Sequence, residues 1–129
     1  MALVYFDSSA LVKLVLDEVG SDIAATLWNA SDAALSSRLA YPEVCAALAA
    51  AGRNHDLTRS EVSSARSDWE LFWASVRPVE LSADVERAAG SLAAAHQLRG
   101  ADAVHLACAL ALGTADLTVA VWDKSLHAG

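Results

Sequence analysis

The sequence predicts an α/β domain: a central parallel sheet of about four short strands flanked by helices. Two observations carry that expectation. Short apolar runs of strand type alternate with longer stretches of helical periodicity. The first and last of those runs each end directly on an aspartate, Asp7 and Asp123. Strands separated by helices need crossover connections, and sheets built that way place their sites at the carboxyl ends of the strands.

The elements follow in order. Leu3-Val4-Tyr5-Phe6 is a continuous apolar run suited to a buried parallel strand. Asp7-Ser8-Ser9 supplies capping side chains, and Ala10 to Asp17 reads as helix. Gly20-Ser21-Asp22 opens a second helix, through about Asn29, and Ala33 to Ser36 is a weak second strand. Pro42 suits the first turn of a helix that Gly52 is expected to stop. Thr58-Arg59-Ser60-Glu61 is a capping-box pattern, after which Val62, Ala65, Trp69, Phe72 and Val76 keep helical spacing. Pro78 to Leu81 reads as a third strand, and Ser82 caps a helix from Ala83 to Leu98. Ala101 to Leu112 is a further helix, and Leu117 to Trp122 the last strand. No repeat, linker or low-complexity tract interrupts the chain, so residues 1–129 read as one domain.

The composition suits this. Of 129 residues 55% are hydrophobic, enough for a core without disulfides. Cys45 and Cys108 lie in apolar, helix-like runs and read as buried reduced thiols, which fits a cytoplasmic protein. The N-terminal run carries Asp7 and no basic leader, unlike a signal peptide. The apolar stretch from Ala101 to Trp122 is interrupted by Asp102, His105, Gly113 and Asp116, unlike a membrane span. A net charge of −7 argues against coating nucleic acid by charge alone.

Most of the 16 acids lie in polar stretches or first helical turns and read as solvated faces or caps. Four stand in apolar surroundings: Asp7 after the first strand, Glu43 within YPEVCAALAA, Asp102 within GADAVHLACALAL, and Asp123 after LTVAVW. Singly, each is explained by a cap or a turn. Together they mark strand ends and helix starts of a fold whose strand ends converge. Converging carboxylates raise one another's pKa unless a cation lies among them. Hard oxygen ligands without cysteine or paired histidines favour Mg2+, with Mn2+ as a substitute, over zinc. Such ions activate water and stabilise a phosphoryl transition state.

These segments resemble a known family. VYFDSSALVKLVLDE resembles the opening of PIN-domain ribonuclease toxins of the VapC type, with an aspartate ending the first strand and a hydroxyl residue two positions on. SSRLAYPEVCAAL, LRGADAVHLACAL and LTVAVWDKSLHAG resemble the segments carrying the family's glutamate, third acid and fourth acid, in order and across nearly the whole chain. The resemblance implies a single PIN-like domain and a cytoplasmic, magnesium-dependent endoribonuclease of a type II toxin–antitoxin system. Its expected partners are RNA, a VapB-type antitoxin and a second copy in a homodimer, with no membrane. Asp7, Glu43, Asp102 and Asp123 would be both catalytic and metal-binding, Asp7 and Asp102 holding the principal ion. Ser9 would support them, Asp116 would be an auxiliary acid, and Lys13, Arg38 and Lys124 would contact the RNA backbone. His105, three residues after Asp102, reads as a packing or supporting residue rather than a ligand. The chain departs from the family pattern at Ser8, often threonine, and at Val121, where a hydroxyl residue often precedes the last acid.

Two other classes stay open. One is an aspartyl phosphatase or receiver-like phosphotransfer domain, which also places an aspartate after its first strand. Ser9 stands where the phosphatase needs a second aspartate, and Asp7 lacks the acidic neighbour of a receiver. The other is a non-catalytic binding module on the PIN fold.

Overall fold

The run Leu3–Phe6 forms strand β1 of the computed structural model, which describes residues 2–113 and 117–122. Helices α1 (Ser8–Val15) and α2 (Ser21–Ala30) lead to β2 (Ala33–Ser37). Helices α3 (Ala40–Arg53) and α4 (Arg59–Ser75) lead to β3 (Val76–Val79). Helices α5 (Ala83–His96) and α6 (Gly100–Ala111) precede β4 (Leu117–Ala120). Every strand pair is parallel and the order is β3-β2-β1-β4, as expected of the α/β class. The chain moves outward from β1 to β3, then returns to lay β4 on the other side of β1. The direction of winding therefore reverses between β1 and β4, where open α/β sheets form their ligand crevice.

Alternation along β1 divides the core. Val4 and Phe6 join Leu11 of α1, Val44 and Leu48 of α3, and Trp69 of α4 on one face. Tyr5 joins Val85 and Ala89 of α5 and Ala103, Ala107 and Cys108 of α6 on the other. Trp69 is 1% exposed, stacks on Tyr41 and packs at a tilt against Trp73. Burying a side chain of this kind stabilises by about 1.5–3 kcal/mol, so it is a principal anchor of α4. Trp73 is half-buried against the same cluster. Local sequence sets the helix starts. Asp7 caps α1, Thr58 and Glu61 complete a capping box on α4, and the Ser82 hydroxyl accepts from the Val85 backbone at the start of α5.

Several boundaries differ from the sequence expectation. The third strand is Val76–Val79, not Pro78 to Leu81, because α4 runs into it without a linker. Pro78 lies inside β3, and this strand sits at the end of the sheet order, where a missing N–H costs little. Gly52 does not stop α3, which continues to Arg53. A Cβ at Gly52 would lie 2.9 Å from Val62 Cγ2, so this glycine lets α3 approach α4. The last strand ends at Ala120 rather than Trp122, whose backbone N–H is drawn to the Ser9 hydroxyl. Among the described residues no helix is long and apolar enough to cross a membrane.

Candidate functional site

Asp7 leaves β1 with an extended backbone (φ −78°, ψ 177°) and is 3% exposed. Its Oδ1 accepts hydrogen bonds from Ala10 N at 3.0 Å and Ser9 Oγ at 2.6 Å. Its own N–H donates to Ala120 O of β4 at 3.2 Å. Ser9 Oγ also accepts from Trp122 N at 3.1 Å. One hydroxyl thus clips the first aspartate to the chain leaving β4, across the crevice where the winding reverses. The ring of Trp122 is seated against Gly20, which has φ +94°. A Cβ there would stand 2.6 Å from Trp122 Nε1.

Glu43 lies in the first turn of α3 with its side chain 28% exposed. Its Oε1 is 2.7 Å from His105 Nε2. His105 is 3% exposed, and its Nδ1 is 2.8 Å from the hydroxyl of Tyr5, itself fully buried. Burial pushes the Tyr5 phenol far above its ordinary range, and the charges of Cys108 and Asp7 add to this. Asp102, in the first turn of α6, is 6% exposed, and its Oδ2 accepts from Arg99 Nε at 2.9 Å. The Arg99 side chain is 69% exposed.

The contacts bring three of the expected acids to one end of the sheet. The Tyr5–His105–Glu43 chain ties β1 to α6 and α3. Asp7 follows Tyr5 by two residues, near enough for its charge to act on the phenol. Asp102 precedes His105 by one helical turn, so it lies on the same side of α6. The acids are nonetheless engaged by protein donors, and among the described residues no three His, Cys, Asp or Glu side chains form a ready metal-holding group. Asp123, Asp116 and Lys124 lie outside the described residues.

The donor set fits a hard divalent cation. Asp7 and Asp102 are buried carboxylates, and Glu43 is a third at the same end. His105 has a partner on each ring nitrogen, which agrees with a supporting role rather than ligation. Burial raises the Cys108 thiol, which packs in the core rather than offering a soft ligand. Coordination at Asp102 would compete with Arg99 for the Oδ2 that it holds.

Of the expected RNA-contact bases, Lys13 and Arg38 lie among the described residues, and each pairs within the protein. Lys13 Nζ donates to Glu18 at 3.1 Å and to Val19 O at 2.6 Å, and stands over the Trp122 ring. Arg38 forms a solvated ion pair with Glu80, which holds the guanidinium proton more firmly and lowers the glutamate pKa. The sequence reading passed over Tyr5. The signal for Tyr5 was present: a tyrosine inside a buried apolar strand must find a partner for its hydroxyl.

Comparison with known proteins adds three findings. A family model for the PIN domain matches residues 4–120. Two proteins of Mycobacterium tuberculosis strains, named Ribonuclease VapC45 and Ribonuclease VapC49, are each 68% identical to this chain over 129 residues. The match covers 100% of this chain and 90% of each relative. The crystal structure of VapC20 of Mycobacterium tuberculosis, described as a sarcin-ricin loop cleaving toxin, superposes with a TM-score of 0.72. It is 18% identical and the match covers 97% of this chain and 93% of that one, a likeness of fold.

Proposed function

The chain belongs to the PIN-domain family, and from that premise we propose that it is the ribonuclease toxin of a type II toxin–antitoxin pair. The observation that carries this reading is full-length identity of 68% to two proteins named as VapC ribonucleases. The buried acids at the reversal point of the sheet support it from the chemistry.

Asp7, Glu43 and Asp102 are the acids proposed to hold Mg2+, with Asp123 as the fourth. Mn2+ is the expected substitute. A divalent cation bound there supplies positive charge against the attacked phosphate and makes a nearby water more acidic. The chain's own residues prepare that site. Ser9 and the Ala10 N–H hold one oxygen of Asp7 in place. His105 holds an oxygen of Glu43. Arg99 balances the charge of Asp102 until a cation takes over. Without a cation the acids repel the RNA phosphate, so cleavage is expected to need the metal before substrate binds.

The proposed partners are RNA, a VapB-type antitoxin and a second copy of the chain, all in the cytoplasm, with residues 1–129 acting as one catalytic domain. Of the tryptophans on α4, Trp69 is buried and Trp73 packs on it. The apolar surface that α4 leaves exposed is Leu71, 73% accessible, beside a groove lined by Leu14, Trp28 and Phe72. That groove is the better candidate for a partner helix.

Induced expression in a bacterial host tests this reading. Wild type is expected to arrest growth, Asp7→Asn to be harmless, and co-expression of the neighbouring gene product to restore growth. Growth arrest that persists in Asp7→Asn would show that toxicity does not come from this site.

A further inference from the structure

We propose that Tyr5 and His105 form a positioning relay that fixes the direction of the Glu43 carboxylate. The inference rests on the reading of Glu43 as an acid of the nuclease site, and it adds two residues that do not themselves touch metal or RNA.

The geometry is a buried chain of two hydrogen bonds. Tyr5 Oη is 2.8 Å from His105 Nδ1, and His105 Nε2 is 2.7 Å from Glu43 Oε1. Residues 100 and 62 positions apart in sequence are joined, from the central strand through α6 to α3. The chemistry of the ends sets the direction of the protons. A carboxylate oxygen 2.7 Å from a ring nitrogen needs a hydrogen between them, which the geometry assigns to Nε2. In a ring that carries one hydrogen Nδ1 is then an acceptor, and the Tyr5 hydroxyl 2.8 Å away donates to it. Tyr5 thereby selects the histidine tautomer that Glu43 needs. The ring itself is held by an edge-on contact with Tyr5, centroids 6.0 Å apart at 73°.

The need for such a device follows from exposure. Glu43 projects from a first helical turn with its side chain 28% exposed, whereas Asp7 and Asp102 are buried and short. A free glutamate of that kind samples several rotamers, and ordering it at the moment of binding has an entropic cost. The relay orders it in advance. Partners behind site carboxylates typically contribute about 10–100-fold in metal affinity or rate.

The test begins with metal-free wild-type protein, nitrogen-labelled at histidine. A long-range proton–nitrogen correlation spectrum is expected to show His105 as the tautomer protonated on Nε2, assigned by its loss in His105→Gln. Protonation on Nδ1 alone would overturn the relay. Calorimetric titration with Mn2+ and cleavage over a range of Mg2+ follow. His105→Leu is expected to weaken Mn2+ binding roughly 10-fold or more. His105→Gln, which keeps an N–H donor for Glu43, should restore most of that loss. Tyr5→Phe keeps the ring volume and should fall between, so a folding failure in His105→Leu still leaves a readable variant. Unchanged Mn2+ affinity and cleavage in folded His105→Leu, with Glu43→Gln inactive, would remove the relay and leave the site reading intact. Wild-type behaviour of Glu43→Gln would remove Glu43 from the site and the relay with it.

Discussion

Replacing Ser9 with alanine removes one hydroxyl that makes two bonds, and the structure sets the size of the effect. The first bond, to the Asp7 carboxylate at 2.6 Å, is charge-assisted and contributes about 1.5 kcal/mol at the lower end of its class, since Ser9 is only half-buried. The second, from Trp122 N at 3.1 Å, is neutral and contributes about 0.5 kcal/mol. Together they predict a loss of about 2 kcal/mol. For a chain of 129 residues that corresponds to a fall of roughly 7 °C in Tm. Asp7 also loses a donor that orients it, so cleavage should fall about 10-fold. Thermal unfolding in EDTA measures the first effect and RNA cleavage in saturating Mg2+ the second. Ser9→Thr, which keeps the hydroxyl, should lie near wild type in both. If Ser9→Ala matched wild type in Tm and rate, the hydroxyl would not clip the two strand ends, and the account of how Asp7 is held would be wrong.

Three further outcomes follow from the same geometry. Gly20→Ala meets both a left-handed backbone and the Trp122 ring, so it should destabilise by about 1–3 kcal/mol, read from urea unfolding, whereas Gly90→Ala, with open space around it, should be neutral or stabilising. Asp102→Asn exchanges an ion pair with a largely exposed arginine for a neutral amide; stability in EDTA should stay within about 1 kcal/mol of wild type while cleavage is lost, and outright unfolding would make Asp102 a structural cap. Hydrogen bonds from the Thr58 backbone and hydroxyl hold the Glu61 carboxyl below its ordinary value, so its stabilisation is present above about pH 4.5 and lost as pH falls through the lowered folded value. The stability gap between wild type and Glu61→Gln should accordingly narrow on acidification, and a constant gap from pH 7 to pH 3 would contradict it.

Where the sequence was legible, a local signal matched the global fold. The unbroken apolar run of β1, the capping box at Thr58 and the serine before α5 each specify their element from a few residues. Boundaries set by tertiary contacts were not legible. Val76 satisfies the helical spacing of α4 and the apolar pattern of β3 equally, so nothing local marks where one becomes the other. Gly52 carries the usual sign of a helix stop, yet its smallness serves the approach of Val62 from another helix. At the site, the odd setting of Asp7, Glu43 and Asp102 was visible because carboxylates rarely follow such apolar runs. The link behind Glu43 was not, since it runs through a His105–Glu43 pairing 62 residues long and a Tyr5–His105 pairing 100 residues long.

The central claim is that a cation held by these acids enables RNA cleavage, and one titration tests it most directly. Purified wild type, Asp7→Asn and Asp102→Asn are stripped with EDTA and given labelled RNA over rising Mg2+. Wild type is expected to be inactive without metal and to gain activity along a saturable curve. Both variants are expected to stay at least about 100-fold below it at every concentration. Cleavage by the stripped wild type, or the same Mg2+ curve in all three proteins, would contradict the account.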